Sequence, residues 1–171
     1  TAYNETSGGL KTWHIYVGDH CLEDYGDVRF TDADGAELAY YLWPDHTNES
    51  ARFCVRLDNA TAAGTLTVYY GNPTATTTSD PGATYFLFDN FSDSSLDTQI
   101  WSWRGNVVEV VNGELHLKST GSWTDVSTVN LTPLSNITIE MRWRVKANAN
   151  EGNGIVLVNS VSDQNCWYAF R

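Results

Sequence analysis

Cleaving a glycosidic bond with retention takes two carboxyl groups about 5 to 5.5 Å apart. Acids at i and i+2 or i+4 on one strand face can provide that separation. The clearest strand pattern in this chain does not offer such a pair: Glu140 has Thr138 and Arg142 as its same-face neighbours. Glu109 and Glu114 are divided by Asn112-Gly113 and could face each other across a hairpin. That spacing alone is unspecific, and solvated acids are the stronger reading. No G-x-S-x-G elbow or H-E-x-x-H pair occurs, and His14, His20, His46 and His116 are scattered, so neither a serine nucleophile nor metal catalysis is expected. The chain reads as a non-enzyme.

Cys21, Cys54 and Cys166 lack the C-x-x-C spacing of zinc and redox motifs. An odd count leaves at least one thiol unpaired. Cys21 and Cys54 share a candidate domain and form the possible disulfide in an oxidising compartment. Cys166, within Asn165-Cys166-Trp167-Tyr168-Ala169-Phe170, reads as a small buried hydrophobe. Asp32 and Asp34 resemble the first half of a calcium loop, but the later ligands are absent. A tight turn at Asp34-Gly35 explains them better; calcium is the one cofactor left open.

Binding chemistry is better represented. Aromatic residues make up 13% of the chain, and an indole face can cover the apolar side of a pyranose while neighbouring polar groups read its hydroxyls. Trp101, Trp103 and Trp123 lie in polar, turn-rich surroundings and are the candidate sugar-binding rings, whereas Trp143 reads as core. Asn4, Asn48, Asn59, Asn90, Asn130 and Asn136 each open an Asn-x-Ser/Thr sequon; Asn72 does not, because Pro73 follows it. These acceptors point to an exported glycoprotein.

The net charge of −11 excludes nucleic acid and anionic membrane surfaces as partners, since both demand clustered Lys and Arg. No run approaches the ~20 apolar residues of a membrane span. No basic, apolar leader opens the chain at Thr1, so any leader or anchor is expected to lie outside these residues. Extracellular or cell-surface placement is the expected localisation.

Short β-rich runs between turn clusters, without sustained helical periodicity, position these residues. Strands are expected at Lys11 to Gly18, Val28 to Thr31, Leu38 to Leu42, Ala51 to Leu57 and Thr65 to Tyr70. Further strands are expected at Tyr85 to Asp89, Val107 to Val111, Glu114 to Ser119, Val126 to Leu131, Ile137 to Val145, Gly154 to Asn159 and Cys166 to Phe170. Asp34-Gly35 and Asn112-Gly113 close hairpins. Gly71 to Gly82, rich in Thr, Pro and Gly, reads as a connector. The expected fold is all-β, with two β-sandwich or jelly-roll-like domains at 1–71 and 85–171 joined by a linker at 72–84.

Three segments carry a resemblance: Val28-Arg29-Phe30-Thr31-Asp32-Ala33-Asp34-Gly35, Ala51-Arg52-Phe53-Cys54-Val55-Arg56-Leu57 and Tyr69-Tyr70-Gly71-Asn72-Pro73. Over about residues 12 to 78 the chain resembles an uncharacterised-function domain family of archaeal and bacterial surface proteins. Phe88-Asp89-Asn90-Phe91-Ser92-Asp93 through Trp101, with Val111-Asn112-Gly113-Glu114-Leu115-His116-Leu117, resembles the start of a concanavalin A-like jelly roll. That likeness implies carbohydrate binding as a class habit, although the fold also hosts glucanases and spacers. Fewer strands are available than a full jelly roll needs, and an incomplete sandwich invites a strand from another chain.

The expected function is therefore cell-surface adhesion or carbohydrate binding. The alternative is a structural subunit of an extracellular filament, pilus or surface layer assembling by strand exchange; a glycan hydrolase comes third. The corresponding partners are glycans or other copies of the chain, including a homopolymer.

Overall fold

Alternation of apolar and polar residues, with Gly at the turns, dictates the architecture in the first half of the chain. In the computed structural model, residues 2–7, 10–57, 65–105, 107–118, 124–129, 139 and 141–142 are described. The fold is all-β: among the described residues, antiparallel strands dominate and the one α-helix is four residues long. The chain divides into two compact units, Thr1–Asp89 and Asn90–Arg171.

The first unit contains β1 (Ala2–Ser7), β2 (Leu10–Ile15), β3 (Arg29–Thr31), β4 (Tyr40–Leu42), β5 (Phe53–Val55), β6 (Thr67–Tyr69) and α1 (Pro81–Thr84). β1 pairs with β2, β3 with β6, and β4 with β5, all antiparallel. Leu38 N–H donates to the Phe30 carbonyl and Asp32 N–H to the Ala36 carbonyl, which carries the chain from β3 towards β4. Gly35 takes φ +82 in that turn, a conformation costly for a residue with a Cβ.

The core follows the period of two. Leu38, Tyr40 and Leu42 alternate onto one face, as do Phe53 and Val55, and they meet Tyr25, Val28 and Phe30. Tyr40 is 1% exposed. Phe30, Tyr40 and Phe53 pack edge to face, with centroids 5.3 to 5.8 Å apart, and each such pair contributes about 0.5–1.5 kcal/mol beyond its burial.

The expected linker, 72–84, is fastened to this unit. Asp80 N–H donates to the Tyr40 carbonyl at 2.9 Å, Leu42 N–H to Ser79 Oγ at 2.9 Å, and Thr78 N–H to the Tyr40 hydroxyl at 3.2 Å. α1 then starts with Asp80 as N-cap, its carboxylate accepting from Ala83 N–H, and with Pro81 in the first turn. The strand expected at Tyr85 to Asp89 is not formed. Tyr85 and Phe88, three residues apart, both turn onto Tyr41, with centroids 5.7 and 5.1 Å away. Extended backbone would send residues of opposite parity to opposite faces.

The second unit contains β7 (Trp101–Arg104), β8 (Val107–Val111), β9 (Glu114–Lys118) and β10 (Asp125–Thr128). β8 and β9 form the expected hairpin through Asn112-Gly113, whose φ values of +53 and +74 suit a tight primed turn. β7 was not anticipated as a strand; it pairs with β10. Of the strand expected over Ile137 to Val145, residues 139, 141 and 142 are described; they are not in a strand, and Ile139 and Met141 are exposed. The strands expected at Gly154 to Asn159 and Cys166 to Phe170 lie outside the described residues.

Candidate ligand-binding surface

The β7–β10 ladder sets Trp101 opposite Thr128, Ser102 opposite Ser127, Trp103 opposite Val126 and Arg104 opposite Asp125. Directly opposed residues share a face, so Trp101, Trp103, Val126 and Thr128 lie on one side of this two-stranded ribbon. Backbone bonds anchor the entry to β7: Ile100 and Trp101 N–H both donate to the Asp97 carbonyl, and Gln99 N–H donates to the Asp97 carboxylate at 2.8 Å.

The opposite side of the ribbon is polar. Ser102 and Ser127 hydroxyls meet at 2.9 Å. Arg104 donates through Nη2 to Asp125 Oδ2 at 2.7 Å and through Nε to the same oxygen at 3.2 Å. This hydrogen bonding, with the attraction of the Asp125 charge, raises the already high Arg104 pKa. Cross-strand pairing on this side fixes the register that places the two indoles together on the other.

The indoles differ in accessibility. Trp101 is half-buried and packs against Phe91, with centroids 6.1 Å apart and planes tilted by 34°. Trp103 is 44% exposed, enough for a ring face to meet a ligand. Trp123 lies outside the described residues. Trp43 is unsuited to stacking on one face, because the Arg52 guanidinium lies 3.7 Å above its ring. No sequence signal singles out Trp13, which is 55% exposed on β2 beside Ile15 and Tyr16, both also exposed.

Other candidate residues are dispersed. Asn48 and Asn90 are exposed in loops. Asn4 lies in β1 opposite Trp13, while Asn59, Asn130 and Asn136 lie outside the described residues. Cys21 and Cys54, the possible disulfide pair, are not bridged to each other in this structure. Cys21 packs on the aromatic core together with Phe53 and Val55. Cys54 lies between those two on β5, so alternation turns its thiol to the other face; there its sulfur accepts from Trp43 Nε1 at 3.3 Å. Burial, aided by the Asp27 charge, pushes the Cys21 thiol pKa up.

Asp32 organises a turn: its Oδ1 accepts from Asp34 N–H at 3.0 Å and Ala36 N–H at 2.8 Å. No cluster of three or more His, Cys, Asp or Glu side chains suited to a metal occurs among the described residues. Glu109 stands opposite His116 in the β8–β9 register, and His116 Nε2 lies 3.2 Å from Glu114 Oε2. This is a cross-hairpin polar face with solvent-accessible carboxylates, not a buried acid–base pair. Among the described residues, no helix is long and apolar enough to cross a membrane.

Residues 24–105 match a family described as a domain of unknown function (DUF2341). The chain therefore contains an uncharacterised-function domain, and its match begins and ends later than the resemblance expected over about residues 12 to 78. Comparison with curated proteins and with solved structures gave no match.

Proposed function

We propose that this chain is a non-enzymatic extracellular glycoprotein module that binds carbohydrate at a cell surface, with Trp103 as its principal open ring. The reading rests on one observation: Trp101 and Trp103 share a face of the β7–β10 ribbon, and Trp103 is 44% exposed. Trp101 lies beside Phe91 on the same face, and Thr128 supplies a hydroxyl there. The resemblance of Phe88 to Trp101 and Val111 to Leu117 to the start of a concanavalin A-like jelly roll is in keeping with this reading.

The affinity expected from such a surface is modest. If a sugar covers on the order of 60 Å² of apolar ring surface at about 25 cal/mol/Å², the contact is worth ~1.5 kcal/mol, or about tenfold in Kd. A single open ring thus suits millimolar recognition, which becomes useful when many copies are displayed together. A glycan array followed by titration calorimetry tests this. Trp103→Ala should weaken binding about tenfold; equal binding by wild type and variant, or no glycan bound by wild type, would sink the proposal.

One observation favours the alternative of a structural subunit in an extracellular filament, pilus or surface layer. β1 and β2 form a two-stranded sheet, and Trp13, Ile15 and Tyr16 near its end are exposed. A two-stranded hairpin is marginal alone in water and exposes backbone edges to strand addition. Light scattering and negative-stain microscopy of the intact chain distinguish the two: polymers support assembly, and discrete monomers oppose it.

A further inference from the structure

We infer that Asn90 is an N-glycosylation acceptor presented by the folded chain, an inference that rests on the glycoprotein part of the proposed function and selects among its sequons. Asn90-Phe91-Ser92 supplies the required residue types, with Phe91 rather than Pro in the middle position. Asn90 is exposed. Its Oδ1 accepts from Ser92 N–H at 3.1 Å, which draws the sequon serine back towards the acceptor and leaves Nδ2 on the other prong of the amide. Phe91 adopts φ +54, and its ring is held against Trp101. The middle residue of the sequon is thus anchored while the acceptor at its edge remains open.

Asn48 makes the contrast. Its sequon, Asn48-Glu49-Ser50, is wound around Thr47: Thr47 Oγ1 accepts from Glu49 N–H and Ser50 N–H, both at 3.2 Å. The Ser50 and Thr47 hydroxyls also lie 3.3 Å apart. The local hydrogen bonds there engage the sequon serine with Thr47 instead of drawing it to the asparagine, so Asn90 is the better-presented acceptor of the two.

The modification joins Asn90 Nδ2 to the anomeric carbon of a sugar carried on a lipid-linked phosphate or pyrophosphate donor. The bond from that carbon to the phosphate oxygen breaks, the lipid phosphate leaves with the bonding electron pair, and an amide proton passes to a base of the transferase. No change of oxidation state is involved.

The test uses the intact chain made without glycans, folded, and incubated with a lipid-linked oligosaccharide and an oligosaccharyltransferase that accepts Asn-x-Ser/Thr. Peptide mass spectrometry should find the glycan on Asn90 and a lower occupancy at Asn48. Asn90→Gln and Ser92→Ala should each remove one glycan mass, although Ser92→Ala keeps the acceptor amide. A second arm maps the glycans on the intact chain exported by an N-glycosylating host. Transfer to Asn90 in urea-unfolded chain but not in folded chain overturns the inference, as does an unmodified Asn90 beside other occupied sequons. The latter result leaves the glycoprotein reading standing; absence of glycan at every sequon overturns both. Binding through Trp103 is measured separately and is independent of either result.

Discussion

Arg29 joins more of the first unit than any pairwise sequence pattern could reveal, and its replacement by Met measures that role. Its Nη1 donates to the Gly26 carbonyl at 2.9 Å and the Val28 carbonyl at 2.7 Å, while Nη2 donates to the Thr76 carbonyl at 2.6 Å. Nε lies 3.5 Å from Glu37 Oε1, but the Glu37 side chain is 58% exposed, so that ion pair contributes little. The Arg29 side chain is only 22% exposed. Arg29→Met keeps the apolar stem and removes the guanidinium fork. Hydrogen bonds involving a charged partner are worth about 1.5–3 kcal/mol each. Water can replace part of the exposed Thr76 contact, so the expected loss is about 3–4 kcal/mol for the set.

Equilibrium urea unfolding provides the assay. With a slope of about 1–1.5 kcal/mol/M for a unit of this size, the midpoint should fall by roughly 2–4 M. Arg29→Lys retains the charge without the fork and should fall part of the way. Hydrogen exchange supplies a local readout: the Thr78 and Asp80 amides, bonded to Tyr40, should lose protection more than β8–β9 amides do. A midpoint shift below about 0.5 M in Arg29→Met, with those two amides still protected, would show that the guanidinium does not hold this segment.

Asp27 makes a second long-range tie. It is 3% exposed, and its two carboxylate oxygens accept from Leu22 N–H at 3.0 Å and Gly71 N–H at 2.5 Å. Asp27→Asn turns an NH₂ towards one of those donors and should cost about 2–4 kcal/mol by the same urea assay; an unchanged midpoint would contradict the assigned partners. Stability should also decline in alkali. Burial first, then the Asp27 charge, raises the Cys21 pKa, so the folded chain holds that proton more tightly than the unfolded chain. The contribution is fully present below the unfolded thiol pKa of about 8.5 and is lost as pH rises through the folded value. Cys21→Ala should flatten that part of the pH–stability profile, and an unchanged slope would remove Cys21 as a cause.

The sequence disclosed features governed by neighbouring residues. Asp34-Gly35 and Asn112-Gly113 announce turns because their backbones require positive φ, and Gly35, Asn112 and Gly113 adopt it. Leu38, Tyr40 and Leu42 announce a buried face by alternating, and that face packs into the core. Features governed by distant partners were hidden. Nothing in 72–84 shows that Arg29 and Tyr40 will hold it, and its Thr, Pro and Gly content looks like a connector. The aromatic run at 85–88 has strand-like composition, but Tyr41 recruits Tyr85 and Phe88 together. The candidate surface was legible in residue type and hidden in accessibility: Phe91 decides that Trp101 is half-covered and Trp103 the more open ring.

These partners also separate residues that build the domain from residues available to a ligand. Arg29 and Asp32 are occupied by backbone carbonyls and amides. Phe30 lies in the core, and Gly71 takes φ +94 while donating to Asp27. The segments that suggested a surface-protein domain are thus explained by folding demands, and a substitution there should act first on stability. Trp103 presents the opposite case. Its partner across the ribbon is Val126, the residue is 44% exposed, and the side-chain bonds across the ribbon lie on the other face. Truncating it would therefore remove the proposed ligand contact without removing a cross-strand hydrogen bond, which makes binding measured against unchanged stability the discriminating experiment for this surface.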